Sequence, residues 1–246
     1  MDDAVATPPE GAGRVAPDDA LVGGYLEVLE GAVPGGRFRG LRLALDCANG
    51  AASAIAPAVF RHLGATVETR GDAPNGRNIN LGCGSLHLNG LADRVRGGGF
   101  DLGLAFDGDA DRCLAIDRRG RVVDGDHILF LCARRLKRHG ALTGDAVVAT
   151  IMSNYWLEKR LGDEGIRLHR APVGDKYVLD RMIAENAVLG GEQSGHVIFR
   201  DRSTTGDGIL TGVLFVDAVL DDTVALETTL DGIVPFPQVL INVRVS

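Results

Sequence analysis

Short apolar runs alternate with amphipathic stretches along most of the chain. Apolar residues at helical spacing predict a helix that starts near residue 18, and the same spacing predicts another over residues 88–96. The runs LRLALD, ATVETR and FDLGLAF have the length and composition of strands. The alternation continues through the second half, where DHILFLCARRLKRHG and GDGILTGVLFVDAVL are predicted helices. Alternating strands and helices are typical of a mainly parallel sheet with helices on its faces.

A second series of alternating elements begins near residue 124. We therefore predict an α/β protein of two consecutive three-layer α/β domains with mixed, mainly parallel sheets, over residues 18–123 and 124–232. Residues 1–17 are acidic and rich in proline and glycine, without the basic start and apolar core of a signal peptide, so we predict a disordered leader. Residues 233–246 have the composition of an extended run.

Composition and charge narrow the classes of partner. The 246 residues are 45% hydrophobic and 24% charged, as in ordinary globular proteins. The net charge of -7 argues against nucleic acid or an anionic membrane as the main partner. The four cysteines form no C-x-x-C pair, which favours a reducing compartment, and no run approaches the ~20 apolar residues of a membrane helix. We expect a cytoplasmic protein.

The candidate chemistry lies in DGDADR, directly after the apolar run FDLGLAF. Asp107, Asp109 and Asp111 stand at alternate positions, which turns them to one side of an extended loop, where their repulsion requires a cation or protons. Oxygen ligands with spare positions for water or phosphate favour Mg²⁺ over Ca²⁺. An EF-hand is excluded because its sixth and twelfth positions would hold Arg112 and Arg118. A solvated acidic turn is the alternative, but ligands tend to bind at strand ends of α/β sheets.

Four segments together carry a resemblance to a known family. DGDADR resembles the metal-binding loop of the α-D-phosphohexomutase family. Three further segments resemble other parts of the same family: LDCANGAASAIAPAVFRHLGA, NGRNINLGCGSLH and GGEQSGHVIF. The likeness runs over residues 13–244, and the stretch NIN-x-GCGS favours the phosphoglucosamine mutase branch. It implies an isomerase that interconverts glucosamine 6-phosphate and glucosamine 1-phosphate by Mg²⁺-assisted phosphoryl transfer. Phosphoglucomutase or phosphomannomutase activity is the alternative within the family, and the partner is a hexosamine or hexose phosphate.

The resemblance also implies contacts on the phosphate side of the site. Asp107, Asp109 and Asp111 would be the metal ligands. Arg112 would lie near the phosphate, and an ion pair to the same carboxylates is a second role that can coexist with the first. The loop VGDKYV would border the active cleft through Gly174, Asp175 and Lys176. Phosphate binding and plain solvation are the two alternatives for Lys176.

On the sugar side, the implied contacts come from GGEQSGH. Glu192 and Ser194 would hydrogen-bond to ring hydroxyls, since a carboxylate accepts and a hydroxyl both donates and accepts. His196 would touch the ligand or serve as a structural imidazole. Ser194 is not the serine of a nucleophile elbow, because that motif places its serine third in G-x-S-x-G.

Several other polar residues are given structural roles. Asp207 in TTGDG is expected to cap the helix that follows it. Asn49 and Gly50 are expected to form a turn after the first strand, and Asn78 and Asn80 to brace the long loop that contains them.

Two family segments have no counterpart in this sequence. The family uses a serine in a T-A-S-H-N-P-like loop as phosphoryl carrier, and a C-terminal loop that grips the unreactive phosphate; neither is found. The resemblance therefore implies the two central domains of a longer mutase, inactive alone, with the missing domains as partners in trans and residues 233–246 as the start of a linker. A non-catalytic module that binds a sugar phosphate or a protein partner is the alternative. A haloacid-dehalogenase-like phosphatase is disfavoured because that chemistry requires a threonine close behind D-x-D, and DGDADRC contains none.

Overall fold

The computed structural model describes residues 19–239 and residue 241. The leader predicted over residues 1–17 lies outside the described residues, and so do residues 240 and 242–246 of the C-terminal run.

The first sheet has the strand order β2-β1-β3-β4-β5. Its first three strands are parallel, and β4 and β5 continue it as antiparallel neighbours. The turn to antiparallel pairing follows from length, since residues 107–112 are too few for a crossover between β3 and β4. In chain order the elements are α1 (Asp19–Glu30), β1 (Arg42–Asp46), α2 (Ala52–His62), β2 (Thr66–Arg70), α3 (Asn89–Gly98), β3 (Leu102–Phe106), β4 (Cys113–Asp117) and β5 (Val122–Val123).

The second sheet repeats this plan with the order β7-β6-β8-β9. Strands β6, β7 and β8 are parallel, and β9 pairs with β8 in the antiparallel sense. Its elements are α4 (Gly125–Arg138), a 3-10 turn (Thr143–Asp145), β6 (Ala146–Thr150), α5 (Tyr155–Asp163), β7 (Arg167–Ala171), α6 (Asp175–Ala184), β8 (Leu189–Gly191), β9 (Val197–Phe199), α7 (Gly208–Asp221) and α8 (Leu226–Asp231). The predicted α/β class with mixed, mainly parallel sheets is confirmed.

Helix α7 connects the two sheets. We call the elements up to β5 the first unit and those from α4 onward the second unit. Helix α7 packs against α4 and β9 of the second unit and also against α1, α2, β3 and β4 of the first. Its residues are buried on nearly every side, and one apolar core runs from Leu29 in α1 to Ile233 after α8. Asp217 of α7 is buried between Arg37, whose Nε lies 2.5 Å from its carboxylate, and Arg135 of α4. The division of the chain at residue 124 stays a prediction; the core itself is shared.

The longer predicted helices are confirmed, but α8 was not predicted. A helix of 6 residues is too short to show a hydrophobic period, so its sequence, LETTLD, carries no helical signature. Within the described part of the chain, no helix has both the length and the apolar character needed to cross a membrane.

Candidate active site

The acidic loop, residues 107–112, lies at the carboxyl end of β3 and is held there by close backbone contacts. The Ala51 N–H donates to the carbonyl of Gly108 at 2.9 Å, and the Gly208 N–H donates to the carbonyl of Ala110 at 2.8 Å. A Cβ on Gly50 would lie 2.1 Å from the Gly108 carbonyl oxygen, so this approach requires glycine. The start of α2 and the start of α7 therefore clamp the loop from two sides.

Its three aspartates converge, as predicted. One carboxylate oxygen from each of Asp107, Asp109 and Asp111 lies within 4.8 Å of the others, and no other such group occurs among the described residues. The side-chain Nε atom of Arg112 lies 3.7 Å from Asp107 Oδ2 and 3.7 Å from Asp111 Oδ1. The backbone N–H of Arg112 donates to Asp107 Oδ1 at 3.1 Å. The ion pair proposed for Arg112 is thus present, while its contact with phosphate stays a prediction.

The electrostatics of the acidic loop favour the binding of a cation. Burial, followed by the neighbouring carboxyl groups of Asp111 and Asp109, raises the pKa of Asp107 to about 7. Asp111 Oδ1 is buried and accepts no hydrogen bond. An orphaned carboxylate oxygen in a convergent group of hard oxygen donors fits a divalent cation.

His196 supports the acidic loop from the second unit. Its Nδ1 lies 3.0 Å from Asp111 Oδ2, and the Gly206 N–H donates to its Nε2 at 3.2 Å. Because a backbone N–H can only donate, Nε2 is the acceptor, and Nδ1 donates its proton to Asp111. Both ring nitrogens are engaged by the protein and the side chain is 7% exposed. This geometry positions Asp111; the substrate contact suggested for His196 stays a prediction.

The GEQSGH loop, residues 191–196, is joined directly to the acidic loop. Arg112 and His196 form an isolated antiparallel bridge, and the Cys113 N–H donates to the Gly195 carbonyl at 3.1 Å. Gly195 has a φ of +95°, and a Cβ there would lie 2.5 Å from the Cys113 carbonyl oxygen. Only glycine permits this packing.

Glu192 connects the GEQSGH loop to the turn before α6. Its Oε1 accepts the Gly174 N–H at 3.0 Å, and its Oε2 accepts the Ser194 hydroxyl at 3.2 Å. Asp175 and Lys176 are exposed at the start of α6. Since β7 and β8 are parallel, the segments that follow them meet at one sheet edge, where ligands bind in open α/β sheets.

Sequence reasoning missed several residues that hold these loops. Gln193 Nε2 donates to Asp124 Oδ2 at 3.0 Å, and the Tyr25 hydroxyl donates to Asp207 Oδ2 at 2.8 Å. Both pairs join residues far apart in the chain, so no local pattern marks them. The glycines of TTGDG were the one local signal that the backbone at Gly208 approaches another segment, the acidic loop, closely.

The structural roles predicted for other polar residues are confirmed. Asp207 caps α7 by accepting the Leu210 N–H at 2.9 Å. The Gly50 N–H donates to the Cys47 carbonyl, closing the turn with Asn49 at a φ of +50°. Asn78 braces its loop through both side-chain atoms, bonding to Ala73 and Asn75, and the Asn80 N–H donates to the Ala48 carbonyl.

Comparison with known families yields two matches that follow each other along the chain. Residues 25–120 match the family model described as phosphoglucomutase/phosphomannomutase, alpha/beta/alpha domain II. Residues 124–236 match the model described as phosphoglucomutase/phosphomannomutase, alpha/beta/alpha domain III.

Similar proteins agree with these models. The phosphoglucosamine mutase of Solibacter usitatus is 48% identical over 228 residues, which are 93% of this chain and 51% of that protein. The phosphoglucosamine mutase of Kocuria rhizophila is 51% identical over 89% of this chain and 49% of its own length. A phosphoglucomutase/phosphomannomutase family protein from Burkholderia thailandensis has a solved structure that superposes with a TM-score of 0.71 at 26% identity, covering 86% of this chain and 46% of its own. The chain spans about half the length of the curated relatives it matches.

Proposed function

Because the chain belongs to the phosphoglucomutase/phosphomannomutase family, we propose that it forms the central part of a phosphoglucosamine mutase. It would interconvert glucosamine 6-phosphate and glucosamine 1-phosphate. The observation that carries the proposal is the likeness to phosphoglucosamine mutases, at 48% identity over 93% of the chain and 51% identity over 89% of it in the two relatives above. The direct contact between the acidic loop and the GEQSGH loop supports it, because metal binding and sugar binding are needed side by side.

In the proposed site, Asp107, Asp109 and Asp111 hold a magnesium ion. When bound, the ion offsets negative charge on the transferring phosphoryl group. Arg112 keeps two of the carboxylates in place through its guanidinium and extends the positive charge toward the phosphate. His196 fixes the rotation of Asp111 through Oδ2 alone; Oδ1, which lies 3.7 Å from Arg112 Nε and accepts no hydrogen bond, would be the ligand atom.

Glu192 and Ser194 bind the sugar. The Gly174 N–H and the Ser194 hydroxyl each use one oxygen of Glu192, so its carboxylate is oriented before a ligand arrives. Gly174 and Asp175 line the same edge. Lys176, exposed at the start of α6, would contact a phosphate of the ligand.

The phosphoryl carrier comes from outside this stretch of sequence. No segment here resembles the family's serine loop, while the matched relatives are about twice as long. We therefore expect the chain by itself to bind metal and sugar phosphate without converting the sugar phosphate to product.

The test is reconstitution. The chain is assayed with Mg²⁺ and glucosamine 6-phosphate, alone and with separately expressed flanking segments of the Kocuria relative, and glucosamine 1-phosphate is measured; glucose and mannose 6-phosphates are run beside it. We expect product only in the mixture, with the hexosamine preferred and with no product from Asp109→Asn. Product formation by the chain alone would contradict the proposal that the phosphoryl carrier lies outside this stretch of sequence. A mixture that binds metal and sugar phosphate but forms no product would favour the non-catalytic module.

A further inference from the structure

One short segment holds the acidic loop at two points. Residues 206–208 lie at the start of α7, and the Gly208 N–H donates to the Ala110 carbonyl at 2.8 Å. The Gly206 N–H donates to His196 Nε2 at 3.2 Å, and the opposite ring nitrogen of His196 lies 3.0 Å from Asp111. A small movement of this segment would therefore reach Ala110 directly and Asp111 through the imidazole.

Between these two N–H groups lies Asp207, whose side chain lines the same cleft as the acidic loop. Its two oxygens serve separate partners: Oδ1 accepts the Leu210 N–H at 2.9 Å, and Oδ2 accepts the Tyr25 hydroxyl at 2.8 Å. The first bond caps α7 and is local. The second joins residues 182 positions apart and is not needed for the cap.

Tyr25 lies on α1 and is half-buried. It lines the same cleft, about 370 Å³ in volume, as Asp109, Ala110 and Asp111. Burial, and after it the charge of Asp207, raises the pKa of Tyr25 far above its usual value, so the hydroxyl remains a donor at every physiological pH.

We propose that Tyr25 is a positioning residue for the metal site: its hydrogen bond to Asp207 fixes residues 206–208, which in turn hold Ala110 and, through His196, Asp111. The inference rests on the metal site of the proposed function. It adds that the affinity of that site for a divalent cation depends on helix α1, which supplies no ligand.

The test measures Mn²⁺ binding to the whole chain, and electron paramagnetic resonance is used to quantify free and bound Mn²⁺. Tyr25→Phe removes only the hydroxyl. Tyr155→Phe makes the same change at an exposed tyrosine of α5 that packs edge-on against Phe236, and it serves as the matched control. Asp207→Ser keeps a helix cap but is too short to reach Tyr25. The thermal unfolding temperature without metal is measured for each variant.

We expect Tyr25→Phe to weaken Mn²⁺ binding about three- to tenfold, below the roughly 10- to 100-fold loss typical of partners bonded directly to metal ligands. Asp207→Ser should weaken binding to a similar degree, and the double variant should lose little more, since both changes break one contact. Tyr155→Phe should bind as the parent chain does. A folded Tyr25→Phe with parental affinity would overturn the proposal while leaving the metal site intact, as would additive losses in the double variant. Failure of the parent chain to bind Mn²⁺ would overturn both.

Discussion

At the residue scale, the acidic loop couples the protonation of one carboxyl group to the binding of a cation. Asp107 is buried beside two other carboxyl groups, and its pKa is raised to about 7. A raised carboxyl pKa means that the folded protein without metal binds a proton there at pH values where an exposed aspartate is ionised. A divalent cation requires the ionised form and must displace that proton.

This competition predicts a pH-dependent affinity for metal. As pH rises toward about 7, fewer Asp107 carboxyls carry the competing proton, so Mn²⁺ binding should tighten by roughly tenfold per pH unit and level off above that value. Isothermal titration between pH 5.5 and pH 8 would measure it. Asp107→Asn replaces the titrating carboxyl group by a neutral amide, so this variant should bind Mn²⁺ more weakly and with a flatter pH profile. Constant parental affinity across this range would show that Asp107 is already ionised in the metal-free protein.

At the element scale, the site is assembled by backbones that approach each other where glycine stands. The start of α7 contacts the acidic loop at Gly208, where a Cβ would lie 2.3 Å from the Arg112 carbonyl oxygen. Cys113, the residue directly after the acidic loop, contacts the GEQSGH loop at Gly195 in the same manner. These contacts explain why two loops without a common local pattern form one site.

Replacing Gly208 by alanine should therefore displace the acidic loop. We expect Gly208→Ala to weaken Mn²⁺ binding by more than tenfold and to destabilise the fold by about 1–3 kcal/mol, the range for forced overpacking. Gly162→Ala in α5, where a Cβ meets nothing within 4 Å, is the control and should stabilise the fold by up to about 1 kcal/mol. Both are checked by urea denaturation and Mn²⁺ titration. Equal metal affinity in the two variants would argue against the clamping role of α7.

At the scale of the whole molecule, the two sheets share one core through α7. Apolar residues of both units belong to a single cluster, and the buried Asp217 joins Arg37 of the first unit to Arg135 of the second. The units are therefore expected to lose their structure together, because neither can keep α7 covered alone.

The prediction is one cooperative unfolding transition. The only tryptophan, Trp156, reports on the second unit, so its fluorescence should change at the same urea concentration as the far-ultraviolet circular dichroism of the whole chain. Asp217→Ala leaves two partly exposed arginines without their buried partner and should lower the free energy of unfolding by about 1–3 kcal/mol. It should shift both signals equally. Asp93→Ala, at an exposed aspartate of α3, is the control. Two separated transitions would show that the units fold independently.

Features that depend on residues close together in the chain could be predicted from the amino-acid sequence. The spacing of apolar residues identified the main strands and helices, and the alternate aspartates after FDLGLAF identified the acidic loop at a strand end. The cap at Asp207 followed from the same local rules. These features are local because strand and helix periods, and side-chain bonds to the next turn, act over a few residues.

Contacts between residues far apart in the chain became known from the three-dimensional fold. The engagement of both ring nitrogens of His196, the bond from Tyr25 to Asp207 and the burial of α7 between two sheets all join residues that are far apart along the chain. The physical reason is that packing and loop closure bring such residues together in space, and no periodicity records the partner. The sequence located the candidate ligands, and the fold determined what holds them in place.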